Sequence, residues 1–283
     1  MIDFVLAAFA IAIPYVLAAL GGSITERSGV IDLALEAKLL FGAFTAAAVS
    51  IATGSAFAGM LGGMAAGAAV GAIQIWLALV YRADQVIVGI ALNLFALGGT
   101  RFLLQLIFHE GAATPPCDAF EGGVLADPIF YLAVLAIAVV PFALRRTRWG
   151  LRLRAAGDRP DSLIAVGVSP THARLAAALV GGALAGAGGA QLSLSVGVFS
   201  ADMSNGRGYI AVGMVILAGW RPAWAALACV GISLFEALQT ELQLAGTVIP
   251  RELVPLLPYV ATLVFMIAVP ATKSPPPRSL GKP

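Results

Sequence analysis

The chain has 283 residues, 60% of them hydrophobic and only 11% charged, with a net charge of +2 and a mean hydropathy of +0.94. That composition places it among membrane proteins before any motif is read. Two cysteines, Cys117 and Cys229, are too few for a disulfide framework.

A spanning helix needs ~20 mostly apolar residues to cross ~30 Å of hydrocarbon. Residues 4–25 supply the first, and the N-terminus lacks the basic stretch of a signal peptide, so this segment is expected to persist as a helix. Residues 39–81 carry no formal charge and suffice for two spans, divided at the turn-like Thr53-Gly54-Ser55. Further spans are expected at 86–108, 128–144, 175–198, 208–220, 222–243 and 253–269. Arg101 lies toward one end of the fourth, where it can snorkel to the interface. The stretch 208–220 is short, and either begins upstream near Phe199 or is a broken helix. The fold expected is all-α: a polytopic bundle of about nine transmembrane helices, or eight to ten given one doubtful span. Residues 1–272 form the transmembrane domain, and 273–283 a proline-rich tail, read as a disordered end.

Charge asymmetry orients the bundle, because cytoplasmic loops carry the excess of Lys and Arg. Arg145, Arg146, Arg148, Arg152, Arg154 and Arg159 fall within fifteen residues and are expected in the cytoplasm. Lys273, Arg278 and Lys282 put the C-terminus on the same side, four spans later. The loop 109–127 has acidic residues and no Lys or Arg, so it reads as external, and counting back places the N-terminus outside.

The arginine-rich loop has its own punctuation. Asp158 suits an N-cap, Pro160 a first turn and Gly167 a C′ position, which brackets about two turns of helix containing Leu163, Ile164 and Val166. Ser169-Pro170 then starts the next span. Such a helix offers an apolar knob to a cytoplasmic partner; equally, the arginines serve as topology signals and the helix rests on headgroups.

Within the spans, Gly59, Gly63, Gly67 and Gly71 form a stripe, as do Gly182, Gly186 and Ala190, and Gly181, Ala185 and Gly189. Small residues at this spacing let helices approach closely in lipid, for static packing or for sliding. Ser233, Glu236, Thr240 and Gln243 share one helical face, with Gln239 beside it. Asn93 and Gln74 are isolated polar groups in mid-span. Asn93, Gln74, Glu236 and Gln239 are candidates to line a translocation path; the alternative places Glu236 in the headgroup zone and bonds Asn93 to a neighbouring helix. No Walker A phosphate loop occurs, His109 and His172 lack metal-ligand spacing, and the arginine cluster lacks the interleaved aromatics of a nucleic-acid surface.

Four stretches, in order along the chain, resemble one family. TRWGLRLRAAGD at 147–158, followed by Gly167-Val168, is similar to the cytoplasmic coupling region of ABC-importer permeases of the branched-chain amino acid, ribose and nucleoside type. Glu26, Arg27, Ser28 and Gly29, with Glu36 downstream, resemble the signature of the nucleoside and simple-sugar branch. Gly206-Arg207-Gly208 resembles its glycine-arginine-glycine-aromatic motif, and Leu257-Pro258-Tyr259 with Thr262 its late proline-tyrosine motif. Asp32 departs from an expected asparagine, Ala34 and Ala37 from glycine, Lys38 from a hydrophobic residue and Arg221 from a small polar one.

The resemblance implies a permease subunit with no catalytic residues and no cofactor of its own. ATP and Mg would be used by separate ATPase subunits docking on Arg152, Arg154, Asp158, Leu163, Ile164 and Gly167. It also implies a second permease chain, identical or homologous, an external substrate-binding protein, and a bacterial cytoplasmic membrane. The substrate implied is a nucleoside or simple sugar, moved by alternating access. A self-contained secondary transporter, a branched-chain amino acid permease and a membrane scaffold are the alternatives. Mid-span carboxylates are nearly absent and no inverted repeat is evident, which counts against the first of these.

Overall fold

The computed structural model describes residues 2–120, 122–244, 260 and 275–281. Its helices are α1 (Ile2–Arg27), α2 (Leu35–Thr53), α3 (Ala56–Val80), α4 (Gln85–Phe108), α5 (Pro128–Arg146), α6 (Arg148–Asp158), α7 (Pro160–Ala165), α8 (Pro170–Val196), α9 (Arg207–Leu217) and α10 (Pro222–Leu244). Seven of them, α1 to α5, α8 and α10, are long and apolar enough to cross a membrane. The expected span at 253–269 lies outside the described residues, as does the proline-tyrosine motif.

The expected span at 208–220 is a half-helix. At 11 residues, α9 covers only ~16 Å. The segment 197–206 precedes it as irregular chain, its upper part paired with the 109–127 loop through an Ala113–Ser200 bridge and a Thr114 N–H bond to Phe199 O of 2.8 Å. Phe199 is fully buried and stacks edge-on against Phe44, 5.4 Å between centroids.

Local chemistry sets most helix ends. The Asp84 carboxylate accepts from Val86 N and Ile87 N, Asp127 from Ile129 N, Ser55 Oγ from Ala58 N and Thr147 Oγ1 from Gly150 N. Gly54, Gly167 and Gly197 take positive φ after α2, α7 and α8, where a side chain would be strained.

The small-residue stripes are the seams of the bundle. α8 packs against α1, α2 and α3, and glycines meet backbone to backbone along it. A Cβ on Gly63 would lie 2.8 Å from Gly42 O and 2.9 Å from Ala190 Cβ, and one on Gly67 would lie 2.7 Å from Gly186 Cα. Only glycine permits that approach, which replaces a hydrophobic drive that lipid does not supply. α4 and α5 lie outside this core and present Ile87, Phe95, Phe102, Leu135 and Phe142 outward, as lipid contact requires.

Three expectations are corrected at the arginine-rich end. The run 148–158 is itself a helix, α6, capped by Thr147, because Leu153, Ala156 and the glycines Gly150 and Gly157 form a buried face beneath the arginines. Asp158 therefore closes α6 and does not cap α7, whose N-cap is Arg159. The apolar knob is also rearranged: Leu163 is buried, while Ile164 and Val166 are 63% and 71% exposed. The third correction concerns the tail. Over 275–281 it is packed, not disordered: Ser279 N donates to Gly157 O at 2.8 Å, Ser279 Oγ to the same oxygen at 2.6 Å, and Gly281 N to Gly29 O at 3.1 Å.

Candidate functional site

Two breaks in the helical pattern meet inside the bundle. α2 begins beside the middle of α1, since Pro14 lies against Gly188 and Leu39 against the neighbouring Gly189. The segment 28–34 therefore turns back from the end of α1 to half its depth. Irregular backbone at that depth is tolerated only where protein satisfies its polar groups. Here side chains from two helices, α3 and α4, do so. Gln85 Oε1 accepts from Ile31 N at 2.8 Å, Gln74 Nε2 donates to Ile31 O at 2.9 Å, and Asn93 bridges Leu33 O (2.8 Å) and Ala37 N (2.9 Å).

The two charged departures in and beside this segment, Asp32 and Lys38, are one interaction. Lys38 Nζ lies 2.5 Å from Asp32 Oδ1, and both side chains are fully buried. The pair ties the re-entrant segment to the first turn of α2.

The second break is the start of α9. Glu36 Oε1 accepts from Ser204 Oγ (2.6 Å) and Gly206 N (2.9 Å), and Oε2 from Gly208 N (2.7 Å). The carboxylate thus caps a helix that has no side-chain cap of its own. Gly208 is required there, because a Cβ would lie 2.5 Å from Glu36 Cα. At the far end of α9, Trp220 Nε1 donates to Glu26 Oε2 at 2.5 Å and Arg27 Nε to Trp220 O at 2.7 Å. Glu26, Arg27 and Glu36 therefore hold both ends of the half-helix, while Ser28 Oγ bonds Thr25 O and Gly29 takes the tail's Gly281 N.

Between α1, α9 and α10 lies a polar triad. Arg207 donates to Glu236 Oε1 at 2.6 Å, Tyr15 Oη donates to Glu236 Oε2 at 2.8 Å, and the guanidinium sits 5.8 Å from the Tyr15 ring centroid. Arg207 faces a cleft of about 410 Å³ whose walls include Pro14, Phe120, Asp127, Gln191, Ser195 and Met203. Burial pushes the Asp127 carboxyl up from its ordinary range, and bonds from Ile129 N and Gln191 pull it back. Burial likewise raises the Cys117 thiol. Among the described residues no cluster of His, Cys, Asp or Glu could hold a metal.

The four residues read as one path fall into two groups. Asn93 and Gln74 bind the backbone of 31–37, whereas Glu236 belongs to the Arg207 triad, with Gln239 half-buried on the next turn of α10. Sequence reasoning missed Tyr15, Gln191, Asp127 and Trp220. Of these only Trp220, in the Trp-Arg-Pro turn, carried a local signal.

The chain matches the family model described as "branched-chain amino acid transport system / permease component" over residues 4–269. It is 28% identical to the guanosine ABC transporter permease protein NupQ of Bacillus subtilis, over 90% of this chain and 88% of the relative. It is 34% identical to the putative glucose ABC transporter permease protein TsgC13 of Haloferax volcanii, over 80% and 74%, and 28% identical to the nucleoside ABC transporter permease protein NupC of Lactococcus lactis, over 89% and 87%. No solved structure matches significantly. With the family model covering nearly the whole helical bundle, this chain belongs to the branched-chain amino acid transport system / permease component family of multi-pass membrane proteins.

Proposed function

We propose that the chain forms the translocation path of an ATP-driven importer for a nucleoside or a simple sugar. The observation that carries this reading is the cleft at Arg207. Among the described residues lining it, the one guanidinium, Arg207, is paired with Glu236 at 2.6 Å, so the walls offer hydrogen-bonding groups and no unpaired cation. Gln191, Ser195 and Asp127 add donors and acceptors, and Phe120 and Met203 supply apolar contact. That combination suits a neutral, hydroxyl-rich ligand with an aromatic or pyranose face. A zwitterionic amino acid would instead need an unpaired charge of each sign. The names of the relatives, guanosine, nucleoside and glucose permeases, support the same substrate range.

In this reading the arginine-rich end faces the cytoplasm, with the C-terminus there and the N-terminus outside. ATP and Mg belong to separate ATPase subunits, which dock on α6 and α7 around Arg152, Arg154, Asp158, Ile164 and Val166. Leu163 anchors α7 from its buried side, and Gly167 ends the turn that follows it at positive φ. A second permease chain and an external binding protein complete the importer. The half-helix α9 is the element through which ATPase closure reaches the cleft: Glu26 and Arg27 grip its arginine-end terminus and Glu36 its buried one.

The test is uptake of labelled guanosine and glucose in cells whose ATP is depleted while the proton gradient is held. Uptake of one or the other should stop. Uptake that persists identifies a secondary transporter.

A further inference from the structure

At the arginine-rich end, four guanidiniums converge where the span ends meet. Arg27 closes α1, Arg145 lies in the last turn of α5, Arg154 projects from α6 and Arg221 precedes α10. They line one small cavity of about 80 Å³, walled otherwise by Pro141, Leu144 and Pro222. Arg27 is within electrostatic range of the other three, and among the described residues the carboxylate acting on it there is Asp158, which is exposed.

Among the described residues none of the four forms an ion pair. Arg27 commits only its Nε, to Trp220 O. Arg154 Nε is buried with no hydrogen-bond partner among the described residues. A guanidinium stays charged in proteins, so four of them around one cavity repel each other unless an anion fills it. Their planar forks suit the tetrahedral oxygens of a phosphate.

The surroundings indicate where that phosphate comes from. The cavity opens at the ends of spans, and apolar side chains run away from it along the outer faces of both neighbours: Val139 and Phe142 on α5, Trp224 and Leu227 on α10, all about half or more exposed. Basic pockets between span ends take anionic headgroups in this manner. We propose that this cavity is a binding site for a phosphate-bearing anion, the headgroup of an anionic phospholipid whose acyl chains lie along α5 and α10. The bound headgroup pins α1, α5, α6 and α10 together at the root of the half-helix α9.

The test compares the wild-type protein with R145Q/R221Q, both purified in neutral detergent with whatever subunits accompany them. Each is titrated with phosphatidylglycerol, phosphatidylcholine or inorganic phosphate, while melting temperature and lipids retained in native mass spectrometry are read. Both mutated side chains are exposed, and equal melting in phosphatidylcholine certifies the fold; R221Q alone serves if the double variant does not assemble. Phosphatidylglycerol should stabilise the wild type, and its apparent affinity should fall by about tenfold or more in the variant. Inorganic phosphate reproducing the full effect would support the site and assign it to a free anion. Equal responses of wild type and variant, or of phosphatidylglycerol and phosphatidylcholine, would overturn the proposal. So would a variant that retains lipid but loses its ATPase, since the arginines would then serve that partner.

Discussion

The buried pair Asp32–Lys38 makes a quantitative demand on stability. Lys38 Nζ and Asp32 Oδ1 are 2.5 Å apart with neither side chain exposed, and Asp32 Oδ2 has no hydrogen-bond partner. Removing one member leaves an uncompensated buried charge, which costs ~3–5 kcal/mol; replacing both with uncharged groups of similar volume is often neutral or stabilising. K38M and D32N should therefore each lose ~3–5 kcal/mol, while D32N/K38M, which restores the uncharged pattern of the resembling branch, should stand within ~1 kcal/mol of wild type. The assay is equilibrium unfolding of the purified chain by denaturing detergent against a mild one, read by circular dichroism. A double variant that loses the sum of the single losses would refute the reasoning. So would single variants that unfold at the wild-type midpoint.

Other outcomes follow from the same contacts. G67A forces a Cβ to 2.7 Å from Gly186 Cα and should cost ~1–3 kcal/mol, whereas G98A, with nothing within 4 Å, should melt at or above the wild-type temperature. E36A strips the cap from Ser204, Gly206 and Gly208 and should cost at least ~2 kcal/mol in the same unfolding assay. I164D/V166D changes two exposed side chains, so it should insert and melt like wild type yet fail to retain an ATPase on purification. L163D, at a buried position, should instead lower the melting temperature.

How far the sequence could be read depends on the range of the forces involved. Spans follow from local apolar length, and the seams from glycines every fourth residue, so α1 to α5, α8 and α10 and the contacts of Gly63 and Gly67 were legible. Gly167 was legible because positive φ after a short helix favours glycine. α6 was obscured by its charge: a run dense in arginine reads as a loop until Leu153, Ala156 and Gly157 are seen to share a buried face. The tail's place depends on backbone bonds to Gly157 and Gly29, more than a hundred residues away, for which Pro-Pro-Pro-Arg-Ser carries no periodic trace. The Tyr15–Glu236–Arg207 triad joins three helices from opposite ends of the chain, so no local pattern could assemble it. Asp32 and Lys38 stood out as departures, but only the fold makes them partners.

The most direct measurement is purification of the tagged chain from its native membrane in gentle detergent, with mass spectrometry of what accompanies it. An ATP-driven importer subunit should bring down an ATPase and a second permease chain, and lose the ATPase in I164D/V166D. Recovery of the chain alone, from membranes that still take up substrate without ATP, would contradict the importer reading.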